Sequence, residues 1–324
     1  MTPRIGLLTV FVGDLPDYVG LFLLSCGANP LFDVHVVSNR EPPLALPSNV
    51  YWHRETLDRF NERAQATLDL PVNVQKPYKL CDFKPTFGTV YRDLLGRYEF
   101  WGYCDVDMVW GNVSHFLDDT ILDGVDVYSV AGPGFLSGAF TLFRNTGPSA
   151  RLFERSPNYE RVLLSSDFHA FDEVCYRWGG PSDVSVLAKE GQPVSLTDVA
   201  HRAHEEGVLR LRTPRVLAEP SFSWDHRFRL TWDGERLVWT RSDQEVILCH
   251  FVHNKVEPFF TFPSWNRYPD HYTVSWAGLR ASGDPDRSSV RVVLDDMPRA
   301  LAWGGSRVLS KIRHWVPQLR DGLR

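Results

Sequence analysis

Short apolar runs alternate with amphipathic ones through the first half of the chain, and that alternation leaves few folds open. IGLLTVFVG (residues 5–13) reads as a buried strand, YVGLFLLSCGANP (18–30) as a helix closed by Gly27 and Pro30, and DVHVVSN (33–39) as a second strand. VYWHRET adds a third strand, LDRFNERAQATL and KPTFGTVYRDLLGRY two helices, and FWGYCDVDMVWG the strand after them. Strands and helices in this order pack as an α/β domain around a mainly parallel, doubly wound sheet. In such sheets ligands sit beyond the carboxyl ends of the strands.

Farther along, VDVYSV and GAFTLFRN are strand-like and SARLFERSPNYERVLLS is helical. SFSWDHRFRLTWDGERLVWT alternates about a WDG turn as a hairpin does, and EVILCHFVHNK is a late strand running into a loop. After about Trp265 the pattern turns irregular through ASGDPDRSS before a final helix-like stretch. We therefore expect one domain over residues 1–265 and a C-terminal extension over 266–324.

With 324 residues, 43% of them hydrophobic, the chain can bury a large core. Its net charge of −5 and pI of about 6.1 give no global basic field, which argues against a nucleic-acid partner. Five cysteines (Cys26, Cys81, Cys104, Cys175, Cys249) form no CxxC pair and no zinc spacing, and read as reduced core thiols. The first apolar run is short, and Asp14, Pro16 and Asp17 follow it without a small-residue cleavage site. No run reaches the roughly 18 apolar residues needed to span a bilayer. A cytoplasmic protein is the expectation.

Against this background EFWGYCDVDMVWG (99–111) stands out, because Asp105 and Asp107 end an otherwise apolar run. Burying ionised carboxylates costs several kcal/mol, on the order of what a buried ion loses on leaving water, unless positive charge compensates. In an extended chain the two share a face, with Val106 on the other. Two carboxylates at a strand end, standing free of the core, make a seat for Mg²⁺ or Mn²⁺ with positions left open for phosphate oxygens. A pair of solvated loop aspartates is the plain alternative. CHFVHNK (249–255) offers His250 as an imidazole ligand and Lys255 as a phosphate-binding ammonium. His253 faces the opposite way in a strand, so only His250 is expected to serve. In SDFHAFDEVCYRW, Asp167, Asp172 and Glu173 could bind sugar hydroxyls, stabilise an oxocarbenium ion, or act as nucleophile or base. An acidic helix start would explain Asp172 and Glu173 equally well.

Together KPYKLCDFKPTFG, YEFWGYCDVDMVWGNV, FLSGAFTLFRN, HAFDE and CHFVHNK, in that order across about Lys76 to Lys255, resemble the GT-A-fold glycosyltransferases, and in particular a bacterial domain-of-unknown-function family with that Rossmann-like fold. The resemblance implies that Asp105 and Asp107 are a D-x-D motif holding Mn²⁺ or Mg²⁺ on a sugar-nucleotide diphosphate, UDP above all. CDVDMVW is also similar to a segment of retaining enzymes that add α-linked galactose or N-acetylgalactosamine, where an acidic pair comparable with Asp172–Glu173 lies beneath the sugar. CHFVHNK resembles a segment in which a histidine completes the metal site and a lysine touches the diphosphate; here the spacing is one residue shorter and no P-W follows. By the same analogy Lys79, Asp82 and Lys84 line the nucleotide and sugar pocket. Gly138 lets a sugar or acceptor approach the backbone closely.

The implied activity is metal-dependent transfer of a hexose-type sugar, with retention, to a hydroxyl on a glycan, a lipid-linked intermediate or a small molecule. A nucleotidyl- or phosphotransferase using the same carboxylate–cation chemistry is the runner-up, although no glycine-rich phosphate loop is present. An inactive sugar-nucleotide-binding protein is a third reading. Residues 299–324 carry six basic residues against Asp321 alone, with apolar residues at helical spacing. Such a helix packs on its own domain, docks a partner, or lies peripherally on an anionic membrane.

Overall fold

The computed structural model of the chain describes residues 4–174, 194–219, 229–256, 260–275 and 278–281. Three strands open it, β1 (Ile5–Phe11), β2 (Phe32–Ser38) and β3 (Val50–Arg54), separated by helix α1 (Val19–Gly27) and followed by α2 (Leu57–Leu68). A 3₁₀ segment (Pro77–Thr86) leads to two short helices, α3 (Phe87–Val90) and α4 (Arg92–Leu95), and then to β4 (Phe100–Cys104) and β5 (Met108–Trp110). Next come α5 (Asp119–Asp123), β6 (Val127–Ser129), β7 (Phe140–Arg144), α6 (Tyr159–Leu164) and α7 (Leu196–Glu205). The remaining strands are short: β8 (Leu211–Arg212), β9 (Leu217–Ala218), β10 (Arg229–Trp232), β11 (Leu237–Trp239), β12 (Leu248–His250), β13 (Tyr272–Ser275) and β14 (Gly278–Ala281).

The central sheet has seven strands in the order β3-β2-β1-β4-β7-β6-β8. All neighbours run parallel except β7, which is antiparallel to both β4 and β6. This is the mainly parallel, doubly wound α/β architecture that the alternation predicts. Its strands read as continuous apolar runs because both faces are covered. In β4, Trp101 and Tyr103 point into one core with Phe60, Phe83 and Leu196, while Phe100 and Cys104 point into the other with Phe22 and Cys26. A four-stranded sheet (β11-β10-β13-β14) and a three-stranded one (β5-β12-β9) complete the body, with a third core between them that includes Trp232, Cys249 and Phe251.

Four local expectations are corrected. KPTFGTVYRDLLGRY forms no single helix: residues 84–86 still belong to the 3₁₀ segment, and Tyr91, at φ −113° and ψ 37°, divides the rest into two four-residue turns of helix. SARLFERSPNYERVLLS is likewise divided, with Pro157 ahead of α6. FWGYCDVDMVWG is two strands in two different sheets. Between Trp265 and Ala281 the chain returns to the sheet, β13 pairing with β10 and β14 with β13. The basic stretch 299–324 and Cys175 lie outside the described residues, among which Cys26, Cys81, Cys104 and Cys249 are free thiols. No helix among the described residues is long and apolar enough to cross a membrane.

Candidate metal centre and its carboxylate neighbours

The break between β4 and β5 builds the site. Asp105 still belongs to the central sheet, donating its backbone N–H to Ala139 O at 3.1 Å. Two residues later the Asp107 carbonyl accepts from Phe251 N at 2.7 Å, opening the antiparallel pairing of β5 with β12. The two carboxylates therefore converge across a turn rather than by alternation along a strand. Nor do they stand free of the core: Asp107 is 4% exposed and Asp105 half-buried.

Because His250 pairs with Met108, its ring lies against the same turn. Its Nε2 stands 3.4 Å from Asp107 Oδ2 and 3.7 Å from Asp105 Oδ2. Asp105, Asp107 and His250 each offer a ligand atom within 4.8 Å of the others. The other ring nitrogen, Nδ1, is bonded to Glu219 Oε1 at 2.6 Å. A carboxylate on Nδ1 is the usual device that fixes a metal-ligating histidine's tautomer and turns Nε2 toward the ion. Two carboxylates and an oriented imidazole suit Mn²⁺ or Mg²⁺, so the residues present fit such an ion. Lys255 Nζ meets Asp107 Oδ2 at 2.5 Å, whereas His253 is exposed.

The carboxylates of this corner are already paired with positive charge. Burial works to raise the Asp107 pKa, but hydrogen bonds and charge from His250 and Lys255 outweigh it and hold the carboxyl well below its ordinary range. Burial works to lower that of His250, and Asp107 and Glu219 overcome it, raising the imidazole to about 10. To accept an ion through Nε2 the ring exchanges its own proton for the metal's charge.

On the other side of Lys84 lies a second carboxylate pair, Asp172 and Glu173. Asp172 and Glu173 sit in turns after Phe171, not at a helix start among the described residues. Burial, helped by the neighbouring carboxylates and opposed by Lys84, raises Asp172 to about 8; Glu173 is raised as well, again chiefly by burial. Glu173 Oε1 accepts the Gly138 amide at 2.8 Å. A side chain at 138 would have its Cβ 2.7 Å from Asp172 Oδ2 and 2.8 Å from Glu173 Oε1, so only glycine lets the backbone come this close.

Lys84 joins the two corners. Its ammonium bonds Asp105 Oδ1 at 2.8 Å, Asp172 Oδ2 at 3.2 Å and the Gly138 carbonyl at 2.8 Å, which engages all three hydrogens. Burial opposes its charge, yet Asp105 first and Asp172 second hold it protonated. Lys79 and Asp82 lie one layer deeper. Lys79 Nζ donates to Asp82 (2.8 Å), Val162 O and Asp167 O (2.7 Å each), and Asp82 accepts the His169 and Phe171 amides at 2.8 Å. This buried pair fastens the 3₁₀ segment to the chain that delivers Asp172, and leaves the ammonium no hydrogen for a ligand. Asp167 is exposed and joins through its backbone carbonyl.

Sequence reasoning missed Glu219. It becomes a neighbour of His250 only because β9 runs parallel to β12, Ala218 opposite Cys249, and no local spacing encodes that pairing. Tyr103, whose hydroxyl bonds the Asp172 carbonyl at 3.3 Å, was read only as core.

No curated protein matches the chain. Among solved structures, mouse xyloside xylosyltransferase 1 in its apo form is similar over 78% of this chain and 99% of its own, at 12% identity and a TM-score of 0.41. The galactosyltransferase LgtC in complex with donor and acceptor sugar analogs is similar over 76% of this chain and 86% of its own, at 10% identity and a TM-score of 0.36. The glycosyltransferase GlyE of Streptococcus pneumoniae TIGR4 is similar over 45% of this chain and 35% of its own, at 12% identity and a TM-score of 0.28. One family model spans the chain from residue 7 to residue 273, taking in both carboxylate pairs, His250 and Lys255, and the chain accordingly belongs to the family of unknown function DUF6625.

Proposed function

We propose that the protein is a metal-dependent glycosyltransferase of the GT-A type. It moves a hexose-type sugar from a nucleoside diphosphate, UDP by preference, to a hydroxyl acceptor with retention at the anomeric carbon. The observation that carries this reading is the convergence of Asp105, Asp107 and a Glu219-oriented His250 at the carboxyl end of β4. Asp105, Asp107 and His250 would hold Mn²⁺ or Mg²⁺, which supplies positive charge where a departing diphosphate becomes negative. Lys255, already beside Asp107, brings an ammonium to the same charge.

The Asp172–Glu173 side suits the sugar. A carboxyl whose ionisation is pushed up can donate as well as accept a hydrogen bond, which matches sugar hydroxyls. Glu173, fixed by the Gly138 amide, and Asp172, fixed by Lys84, present such groups in set positions. Lys84 acts as a positioning residue: it touches Asp105 on one side and Asp172 on the other, setting the spacing between the cation corner and the sugar corner.

The test is incubation with UDP-hexoses and Mn²⁺, with nucleotide products resolved by chromatography. Free UDP that depends on Mn²⁺ and disappears in chelator is the expected result. Asp105→Ala and Asp107→Ala should each reduce it by about 10³-fold while the protein stays folded. Pyrophosphate as product would mark nucleotidyl transfer instead, and full activity in chelator would remove the metal from the reading.

A further inference from the structure

Three segments border the site: Pro77–Thr86 with Lys84, residues 159–173 with Asp172 and Glu173, and Asn254–Val256 with Lys255. Each exposes a large apolar side chain. Tyr78 (67% exposed), Val256 (57%) and Leu164 (46%) are the most exposed large hydrophobic residues among those described. An exposed aromatic side chain on a segment that borders such a site is a natural contact for what binds there.

Tyr78 is the best defined of the three. Its ring meets Phe168 edge to face, the centroids 4.7 Å apart. Both rings are held from below: Lys79, the next residue, is bonded to Asp82 and to the Asp167 carbonyl, and Asp82 in turn to the His169 amide. A large side chain that stays exposed on so firmly braced a backbone loses little freedom when a ligand covers it. The charges of Lys255, Lys84 and Asp105 act on its hydroxyl, so Tyr78 stands near the charged residues of the site.

We propose that Tyr78, backed by Phe168, is the platform on which a carbohydrate acceptor lays the C–H face of a pyranose ring. A pyranose presents an apolar face bordered by hydroxyls. A tyrosine offers the matching pair, an apolar face and one hydrogen-bonding tip. An acyl chain would use the ring but leave the phenol without a partner, which favours a sugar over a lipid tail at this position. The inference rests on the glycosyl-transfer reading for the role of acceptor and narrows that acceptor to a glycan.

Saturation-transfer NMR on the full chain with Mn²⁺ and UDP tests it, using methyl α- and β-pyranosides of glucose, galactose and mannose together with lactose and maltose. At least one should bind with saturation concentrated on ring C–H protons. Tyr78→Ala should weaken that binding by about tenfold, the worth of a good aromatic contact, while Tyr78→Phe keeps most of it. Neither variant should change the thermal shift produced by UDP with Mn²⁺. Absence of binding by every sugar, or equal binding by Tyr78→Ala, would overturn the platform. A wild-type protein that ignores UDP and Mn²⁺ but binds a pyranoside through Tyr78 would instead sink the glycosyl-transfer reading and leave the platform standing.

Discussion

Asp107 and Asp172, one from each carboxylate pair, are the same side chain driven in opposite directions. Asp107 is as buried as Asp172, yet it is held ionised while Asp172 is pushed toward the neutral form. The difference lies in the cations each can reach. Asp107 has His250 and Lys255 on one oxygen, whereas Asp172 shares the single ammonium of Lys84 with Asp105 and has Glu173 beside it. Burial is common to both, so the placement of positive charge decides which pair can seat a metal and which can hydrogen-bond a neutral ligand.

Removing the bridge should produce the largest effect. Lys84→Met leaves the buried Asp172 and the half-buried Asp105 without their shared cation, and should cost about 3–5 kcal/mol, read as a lower urea midpoint. Adding Asp172→Asn to that variant should recover part of the loss, since one of the two stranded carboxylates is then gone. An unchanged midpoint would mean that Lys84 does not couple the corners.

Glu219→Ala acts on one corner alone. It should weaken Mn²⁺ binding by about 10–100-fold, measured by calorimetry, with little effect on unfolding. Gly138→Ala acts on the other: its Cβ would crowd Asp172 and Glu173, costing about 1–3 kcal/mol and lowering turnover while Mn²⁺ affinity is kept. If Gly138→Ala weakened the metal as well, the disturbance would be reaching Asp105 through Lys84.

The last effect is a slope. Asp172 binds its proton up to about pH 8 in the fold, but only up to about 3.9 in the unfolded chain. Its contribution to stability is therefore complete below about pH 4 and is lost as pH rises through 8. His35, lowered by burial to about 4, tilts the other way between 6.5 and 4. The readout is thus the thermal midpoint of wild type relative to Asp172→Asn, which should fall as pH rises from 4 to 8, because the amide does not ionise.

Much of the frame was legible because strand and helix periods are local. LDRFNERAQATL begins and ends where α2 does, capped by Thr56. The convergence of Asp105, Asp107 and His250 was anticipated, but for a geometric reason that did not hold: alternation assumes a continuous strand, and this one changes sheets between the aspartates. Period alone cannot signal that change, because both halves are equally apolar. Lys79, Asp82 and Lys84 look alike in KLCDFKP, yet one ammonium is spent within the backbone and the other spans the pocket. Which is which depends on residues some 20 to 90 positions away, such as Asp105 and Asp167. Glu219 was hidden for the same reason.

The turn between β4 and β5 has a mechanical consequence. Asp105 hangs from the seven-stranded sheet, whereas Asp107 and His250 hang from the three-stranded one. An ion held by all three would be a rivet across the seam between the sheets, and its binding energy would resist any motion that slides one past the other.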